Sequence, residues 1–247
     1  MDEQNKLAKF ISILNDRIAT QNKIIEDLKK LKSSIADSMF CNPKDNKPKY
    51  RIKGYEKKWD KVSLSEICGR VNRRNTNNVC NNVLTIAAQY GLVRQEDFFN
   101  KRVASDNLEN YILIEKGEFA YNKSYSADYP WGAIKRLDCY GNGVLSSLYI
   151  CFRPNEKVNS DFLALYFEST KWYKSISDIS VEGARNHGLL NMSVSDFFDI
   201  KIRRPSIEEQ NKIAKILKAI EARYDYEKQL LNDYARQRTY LLQKMFI

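Results

Sequence analysis

The 247-residue chain is poor in the groups that most chemistry needs. It has one histidine, His187, so a serine–histidine triad or a histidine-based metal site would rest on that residue alone. Its five cysteines (Cys41, Cys68, Cys80, Cys139, Cys151) are odd in number, scattered, and never at C-x-x-C spacing. That argues against disulfides and structural zinc, and for reduced thiols. No apolar run approaches the roughly 18 residues of a membrane span. The opening Met1-Asp2-Glu3-Gln4-Asn5-Lys6 is polar and lacks the apolar stretch of a signal peptide. A soluble, cytoplasmic protein without a membrane partner is expected. There is no Walker loop, no G-x-G-x-x-G and no G-x-S-x-G, so no bound cofactor and no catalytic residue is expected.

Apolar material is sufficient for a core, with 43% hydrophobic against 29% charged residues, which excludes wholesale disorder. Lys+Arg is 41 and Asp+Glu 31, a net charge of +10 that favours a polyanionic partner. The excess is local. Residues 41–102 carry 14 basic and 6 acidic groups, or +8, whereas residues 103–208 carry 12 and 14, or −2.

The two ends repeat each other. Residues 3–40 and 209–246 align without a gap at an offset of 206, with ten identities: Glu-Gln-Asn-Lys at the start, then Ala8/Ala214, Lys9/Lys215, Arg17/Arg223, Asp27/Asp233, Met39/Met245 and Phe40/Phe246. Chance would give roughly two or three. Both copies hold a 4,3 apolar ladder, Leu7, Ile11, Leu14, Ile18, Ile25, Leu28, Ile35 in one and Ile213, Leu217, Ile220, Tyr224, Leu231, Tyr234, Leu241 in the other. Neither contains Pro or Gly, so each predicts a helix of about 57 Å with a seam that needs a second helix. The seams are interrupted at the same places, by Gln21/Glu227 and Lys32/Arg238. In an antiparallel pair, one register sets Lys32 opposite Glu227 and Gln21 opposite Arg238; alternatively these side chains snorkel out of the seam.

The middle, residues 41–208, predicts a mixed α+β domain. Strand-like runs are Asn82–Gln89, Tyr111–Glu115, Glu118–Tyr121, Gly143–Phe152 and Phe198–Ile202, with helical spacing over Asp161–Ser169. Ser63 or Ser65 is a candidate cap. Gly69–Asn78 reads as a basic, polar loop with no core residue but Val71. Arg185-Asn186-His187-Gly188 reads as an exposed turn, preceded by Gly183. Arg and Asn are the types that pair bidentately with guanine and adenine edges. Candidates for contact with a polyanion are therefore Arg70, Arg73, Arg74, Asn75, Asn77, Arg94, Lys123, Tyr125, Arg185 and Asn186. Asp128-Tyr129-Pro130-Trp131 faintly echoes the Asp-Pro-Pro-Trp/Tyr motif of adenine methyltransferases, but its second residue differs and no glycine-rich loop precedes it.

The passage from Ser193 through Arg204-Pro205-Ser206-Ile207-Glu208-Glu209-Gln210-Asn211-Lys212-Ile213 resembles the specificity (S) subunit of type I restriction–modification systems, in which Pro-Ser-x-x-Glu-Gln-x-x-Ile opens a spacer helix. Trp59 with Leu64-x-Glu-Ile67, Lys116-Gly117-Glu118-Phe119 with Gly143-Val144-Leu145-Ser146, and Gly183-Ala184-Arg185 are similar to that family's target recognition domains. The resemblance covers nearly the whole chain. It implies a spacer helix at 1–40, a target recognition domain at 41–208 and a second spacer helix at 209–247, the helices pairing as a coiled coil. A complete S subunit alternates two recognition domains with two spacer helices, so this chain is expected to be a half-subunit, natural or truncated.

The resemblance further implies a non-catalytic subunit that reads double-stranded DNA. Such a subunit recruits methyltransferase (M) subunits, which carry S-adenosylmethionine, and through them the restriction (R) subunit. A half-subunit is expected to form a homodimer through the helices and read a bipartite site. The alternatives are a silent coiled-coil interaction fragment without DNA binding, or a standalone DNA adenine methyltransferase.

Overall fold

The computed structural model describes residues 2–87, 90–101, 104–105, 107–124, 126–127, 129–180 and 190–245. The chain divides into two units, one of Met1–Ala36 with Ala214–Ile247 and the other of Asp37–Ile213.

The first unit is a pair of long helices, from α1 (Asp2–Met39) and α7 (Ile207–Met245). The seam period is visible in the burial. Leu14, Gln21 and Ile25 are buried on α1, with Ile11, Ile18, Leu28, Lys32 and Ile35 half-buried between and beyond them. The helices run antiparallel, because contacts descend on one as they ascend on the other. Arg17 lies over the Tyr234 ring, Gln21 meets Glu227, and Lys32 meets Glu221. Gln21 Nε2 donates to the Glu227 carbonyl at 3.0 Å and to its carboxylate. Arg223, one turn back on α7, also holds that carboxylate.

This corrects the expected register. Lys32 does not face Glu227, and Gln21 does not face Arg238. The register adopted lets a buried amide and a buried carboxylate satisfy each other, which an unpaired carboxylate in a seam would not. Gln21 and Glu227 are 206 positions apart, the offset of the repeat itself. At this one level equivalent residues of the two copies face one another, so a local twofold axis passes between Gln21 and Glu227.

The second unit is antiparallel β with short helices. Its centre is a four-stranded sheet in the order β2 (Cys68–Val71), β9 (Ile150–Pro154), β6 (Phe119–Asn122), β7 (Ala133–Arg136). Three two-stranded ribbons surround it: β1 (Asp60–Ser63) with β10 (Lys201–Arg204), β3 (Leu84–Ala87) with β4 (Gly91–Arg94), and β5 (Ile112–Glu115) with β8 (Asn142–Leu145). Strand alternation divides the core into two chemistries. On one face Phe119, Tyr121 and Phe152 join Phe167, Trp172 and Phe197 in a continuous set of ring contacts. These last three come from or adjoin α4 (Ser160–Glu168), α5 (Tyr173–Ser177) and α6 (Val194–Asp199). On the other face Ala120, Ala133, Cys151 and Val71 pack with aliphatic residues of the ribbons, Leu84, Ile86, Leu92, Ile112 and Leu145.

Three local expectations change. The run Gly143–Phe152 is two strands, β8 and β9, because a turn closes at Ser146–Tyr149 with the Tyr149 N–H on the Ser146 carbonyl at 3.1 Å. Phe198–Ile202 is the end of α6 followed by β10; Ser193 and Asp196 form a reciprocal capping box that starts a helix there. Gly69–Asn78 is not wholly loop, since its first residues belong to β2 and Thr76–Asn78 makes a 3₁₀ turn. Ser63 is the N-cap of α2 (Leu64–Ile67), in a capping box with Glu66. Gly132 has φ +75°, and a Cβ there would lie 2.2 Å from the Asn122 carbonyl, so the close approach of this turn to β6 needs glycine.

The Pro-Ser-x-x-Glu-Gln segment has a physical role within this unit. Ser206 caps the first turn of α7, accepting from the Glu209 N–H at 3.4 Å. Glu209 is 1% exposed and takes a two-pronged ion pair from Arg51, at 3.0 and 2.9 Å, and the Trp59 indole N–H at 3.3 Å. Gln210, also 1% exposed, donates to the Pro205 carbonyl and accepts from the Asn159 N–H at 2.8 Å. The motif is a clasp that closes the domain around the start of α7.

Candidate nucleic-acid interface

The basic stretch does not present its charges uniformly. Arg51 is spent inside the clasp. Arg73, half-buried, is held by Glu118 at 2.6 Å and lies 3.6 Å from Glu115. Glu118 is 2% exposed and also accepts the Glu115 N–H, so this pair fastens the β5–β6 turn. Asn75 is 0% exposed, and both ends of its amide are used by Cys80, donating to the carbonyl at 2.8 Å and accepting from the N–H at 2.9 Å. It clips its own loop and is not a surface group.

The remaining described candidates reach solvent. Arg70 is exposed on β2, and Arg74 is exposed while bonding the Asn110 carbonyl. Asn77 is exposed at the tip of the 3₁₀ turn with φ 58°, a left-handed conformation that asparagine tolerates. Arg94 lies over the Tyr140 ring at 5.6 Å, which orients its guanidinium without neutralising it. Lys123 is half-buried, its ammonium 3.5 Å from the Met192 carbonyl. Tyr125, Arg185 and Asn186 lie outside the described residues, as do His187 and Asp128.

The arrangement brings Arg70, Asn72 and Arg73 together on one open cleft of about 690 Å³ along β2. Arg153 and Asn155 of β9 and the turn after it line the same cleft. Neither is among the candidates that charge and composition pick out, because Arg153 sits in the stretch whose net charge is −2. Its one sequence signal is position, an arginine directly after the apolar run Ile150-Cys151-Phe152.

Burial pushes the Cys41 thiol up to about 11 and Cys151 to about 12, and pushes Cys68 up further, so these thiols stay protonated. Among the described residues no group of three or more His, Cys, Asp or Glu is placed to hold a metal ion. Among them, too, no helix is long and apolar enough to cross a membrane.

Known proteins fit this picture. The family model described as the type I restriction modification DNA specificity domain matches residues 56–233. No curated protein sequence shows significant similarity to the chain. Among solved structures, the HsdS subunit of Thermoanaerobacter tengcongensis is similar with a TM-score of 0.57 at 15% identity, over 98% of this chain and 56% of that one. The S subunit of a type I restriction–modification system from M. genitalium is similar with a TM-score of 0.57 at 18% identity, over 100% of this chain and 61% of that one. A structure of a type I R-M system, described as explaining complex assembly and conformational transition, matches with a TM-score of 0.54 at 15% identity, over 98% and 58%. At such identities the likeness concerns the fold. This chain spans 56–61% of the length of the chains it matches.

Proposed function

The chain belongs to the type I restriction–modification DNA specificity family, and on that premise we propose that it is the DNA-reading half-subunit of such a system. Specificity subunits of this family are non-catalytic, which suits a chain in which burial raises the thiols of Cys41, Cys68 and Cys151. Methyl transfer to adenine belongs on this reading to partner M subunits carrying S-adenosylmethionine, and cleavage to an R subunit, in the cytoplasm. The observation that supports the reading is a domain set between two copies of one helix. The solvent-facing arginines Arg70, Arg74 and Arg94, in the stretch of +8, are the groups that would meet the phosphate backbone and base edges.

A half-subunit has one recognition domain where a bipartite site needs two. The simplest completion is a second copy packed through the paired helices. Isologous contacts would then make the two domains identical and inverted. The site would be an interrupted palindrome of short half-sites. The test is methylome sequencing of a host expressing this chain with its M subunit alone. A gapped palindromic motif is expected. A non-palindromic bipartite motif would reject the homodimer but keep the DNA-reading role. Methylation without the M subunit would overturn the non-catalytic assignment, and no sequence-dependent methylation at all would leave a helical interaction fragment. Light scattering on the purified chain should give twice the monomer mass.

A further inference from the structure

We propose that the free edge of β2 is a phosphate-gripping cleft, with Arg70 and Arg153 closing on one DNA strand from its two sides. This rests on the DNA-reading role above and names the surface that performs it.

Among the described residues β2 is an edge strand, paired to β9 alone. The register sets Gly69 opposite Arg153 and Arg70 opposite Phe152. Side chains of neighbouring positions leave opposite faces of a ribbon, so the two arginines start from opposite faces. Both nevertheless line one open cleft, which is walled by β2 and by the end of β9 with the turn after it. The space over Gly69, opposite Arg153, is open: a Cβ there would meet nothing within 4 Å. Both guanidinium groups are exposed, and among the described residues neither has a hydrogen-bond or ion-pair partner. Arg73 in the same cleft is already matched by Glu118, and Arg51 by Glu209. Arg70 and Arg153 are uncommitted positive charges.

The backbone adds a donor. The Asn155 N–H bonds the Ile67 carbonyl at 2.9 Å, which makes 67 and 155 a hydrogen-bonded pair. In an antiparallel ladder such pairs alternate. Positions 69 and 71 therefore bond β9, while 68 and 70 point their amides to the open side. The Cys68 N–H is taken by the Leu64 carbonyl, which leaves the Arg70 N–H pointing away from β9, on the unpaired side of β2 beside the cleft. The exposed Asn72 lines the same cleft, whereas Asn155 already donates its amide to the Glu66 carbonyl at 3.1 Å. Glu156 is the one carboxylate among the residues that line it. Two planar guanidiniums and an outward N–H suit tetrahedral phosphate oxygens, and the arrangement offers no base-shaped slot. An added β-strand is the other way to satisfy an open edge, but four residues flanked by arginines leave little ladder for it.

The experiment uses the full chain and two 25-base-pair duplexes, one carrying the methylated site and one of scrambled sequence, titrated by fluorescence anisotropy across a salt series. Each neutralised phosphate contributes about 0.9 to the slope of log affinity against log salt. In R70A/R153A the slope should be shallower by about two, with affinity lost by the same factor on both duplexes. R70K/R153K should recover most of the slope, which separates charge from fold. An unchanged slope in R70A/R153A overturns the cleft while leaving DNA reading in place. A loss confined to the cognate duplex also overturns it, since that means base contact. Lost capture of the M subunit with unchanged DNA slope assigns the edge to a protein strand. If the wild-type chain binds neither duplex, both the cleft and the DNA-reading role fall.

Discussion

The Glu-Gln-Asn-Lys opening occurs twice in this chain and is buried once. At 209–212 Glu209 and Gln210 are each 1% exposed, and Ile213 behind them is 2% exposed. At 3–6 the equivalent Gln4 is exposed, and Leu7 is 37% exposed. Both copies form the same helix, because helix formation here depends on an uninterrupted run without Pro or Gly. Burial depends on what precedes and surrounds the run. The second copy follows Pro205-Ser206 and meets Arg51, Trp59 and Asn159. A repeated sequence therefore fixes a repeated local structure, while its energetic role is set by partners the repeat does not carry.

The largest expected effect breaks that difference. Glu209→Ala leaves Arg51 without its partner in the clasp and removes an acceptor from the Trp59 indole. Removing one partner of a buried ion pair costs about 3–5 kcal/mol. Gln4→Ala, at the equivalent of Gln210, should stay within about 0.5 kcal/mol, as surface substitutions do. Denaturant melts of the two variants and of Gln210→Ala would measure this. Equal losses for Gln4→Ala and Gln210→Ala would mean that Gln4 has partners of its own.

A second contrast lies between Arg70 and Arg73, which look alike in the sequence. Arg73→Ala removes the charge partner of Glu118, a carboxylate 2% exposed that keeps the Glu115 N–H. Leaving a buried hydrogen-bonding group unmatched costs about 1–3 kcal/mol, so Arg73→Ala should lower stability before it says anything about DNA. Arg70→Ala should leave the melting midpoint within experimental error. Identical melts would sink the view that Arg73 is a fastening of the β5–β6 turn.

At the axis of the helix pair, Gln21→Ala should cost about 1–2 kcal/mol, because Glu227 keeps Arg223 but loses the amide. The exchange Gln21→Glu with Glu227→Gln should recover most of it, since the two positions face each other across the local twofold. A double variant as unstable as Gln21→Glu alone would show that the two positions are not equivalent.

The helix pair is legible in the amino-acid sequence. The seam of α1 and α7 follows from spacing, since a 4,3 ladder over 38 residues has one helical interpretation. The register is not legible. Spacing says which residues lie in a seam, and the choice among antiparallel registers turns on a buried amide finding a buried carboxylate. The domain's strands can be located but their limits are blurred, because strands of four residues buried on both faces do not alternate. Phe197-Phe198 looks like strand until the Ser193–Asp196 box is recognised as a helix start. The contact candidates are partly legible for a similar reason. Charge counting finds Arg70 but cannot tell it from Arg73, and it hides Arg153 within an acidic stretch. Asn75 reads as a surface amide from its neighbours, yet a loop that must clip itself shut buries the one side chain that does it.

The smallest effect concerns pH, and it compares helix starts instead of repeats. Three carboxylates at such starts are held by hydrogen bonds there: Glu66 and Asp196 in capping boxes, and Glu208 in the first turn of α7. All three are held below their ordinary values, 4.5 for the glutamates and 3.8 for the aspartate. The causes are hydrogen bonds: from the Ser63 N–H and hydroxyl to Glu66, from the Ser193 hydroxyl and N–H to Asp196, and from its own N–H and the Ser206 hydroxyl to Glu208. A group with a lowered folded pKa binds fewer protons folded than unfolded. Its contribution is complete above the unfolded value and disappears as pH falls through the folded one. Stability should thus be flat from pH 7 down to about 5 and decline below about 4.5 as these starts protonate, with each group exposed and its share small. Glu66→Gln keeps an acceptor without a charge and should shallow the acid limb slightly, whereas Gln4→Ala should leave it unchanged. Melting midpoints from pH 3 to 7 read this out. An acid limb in Glu66→Gln as steep as the wild type would show that the Ser63–Glu66 box is not a source of the acid sensitivity.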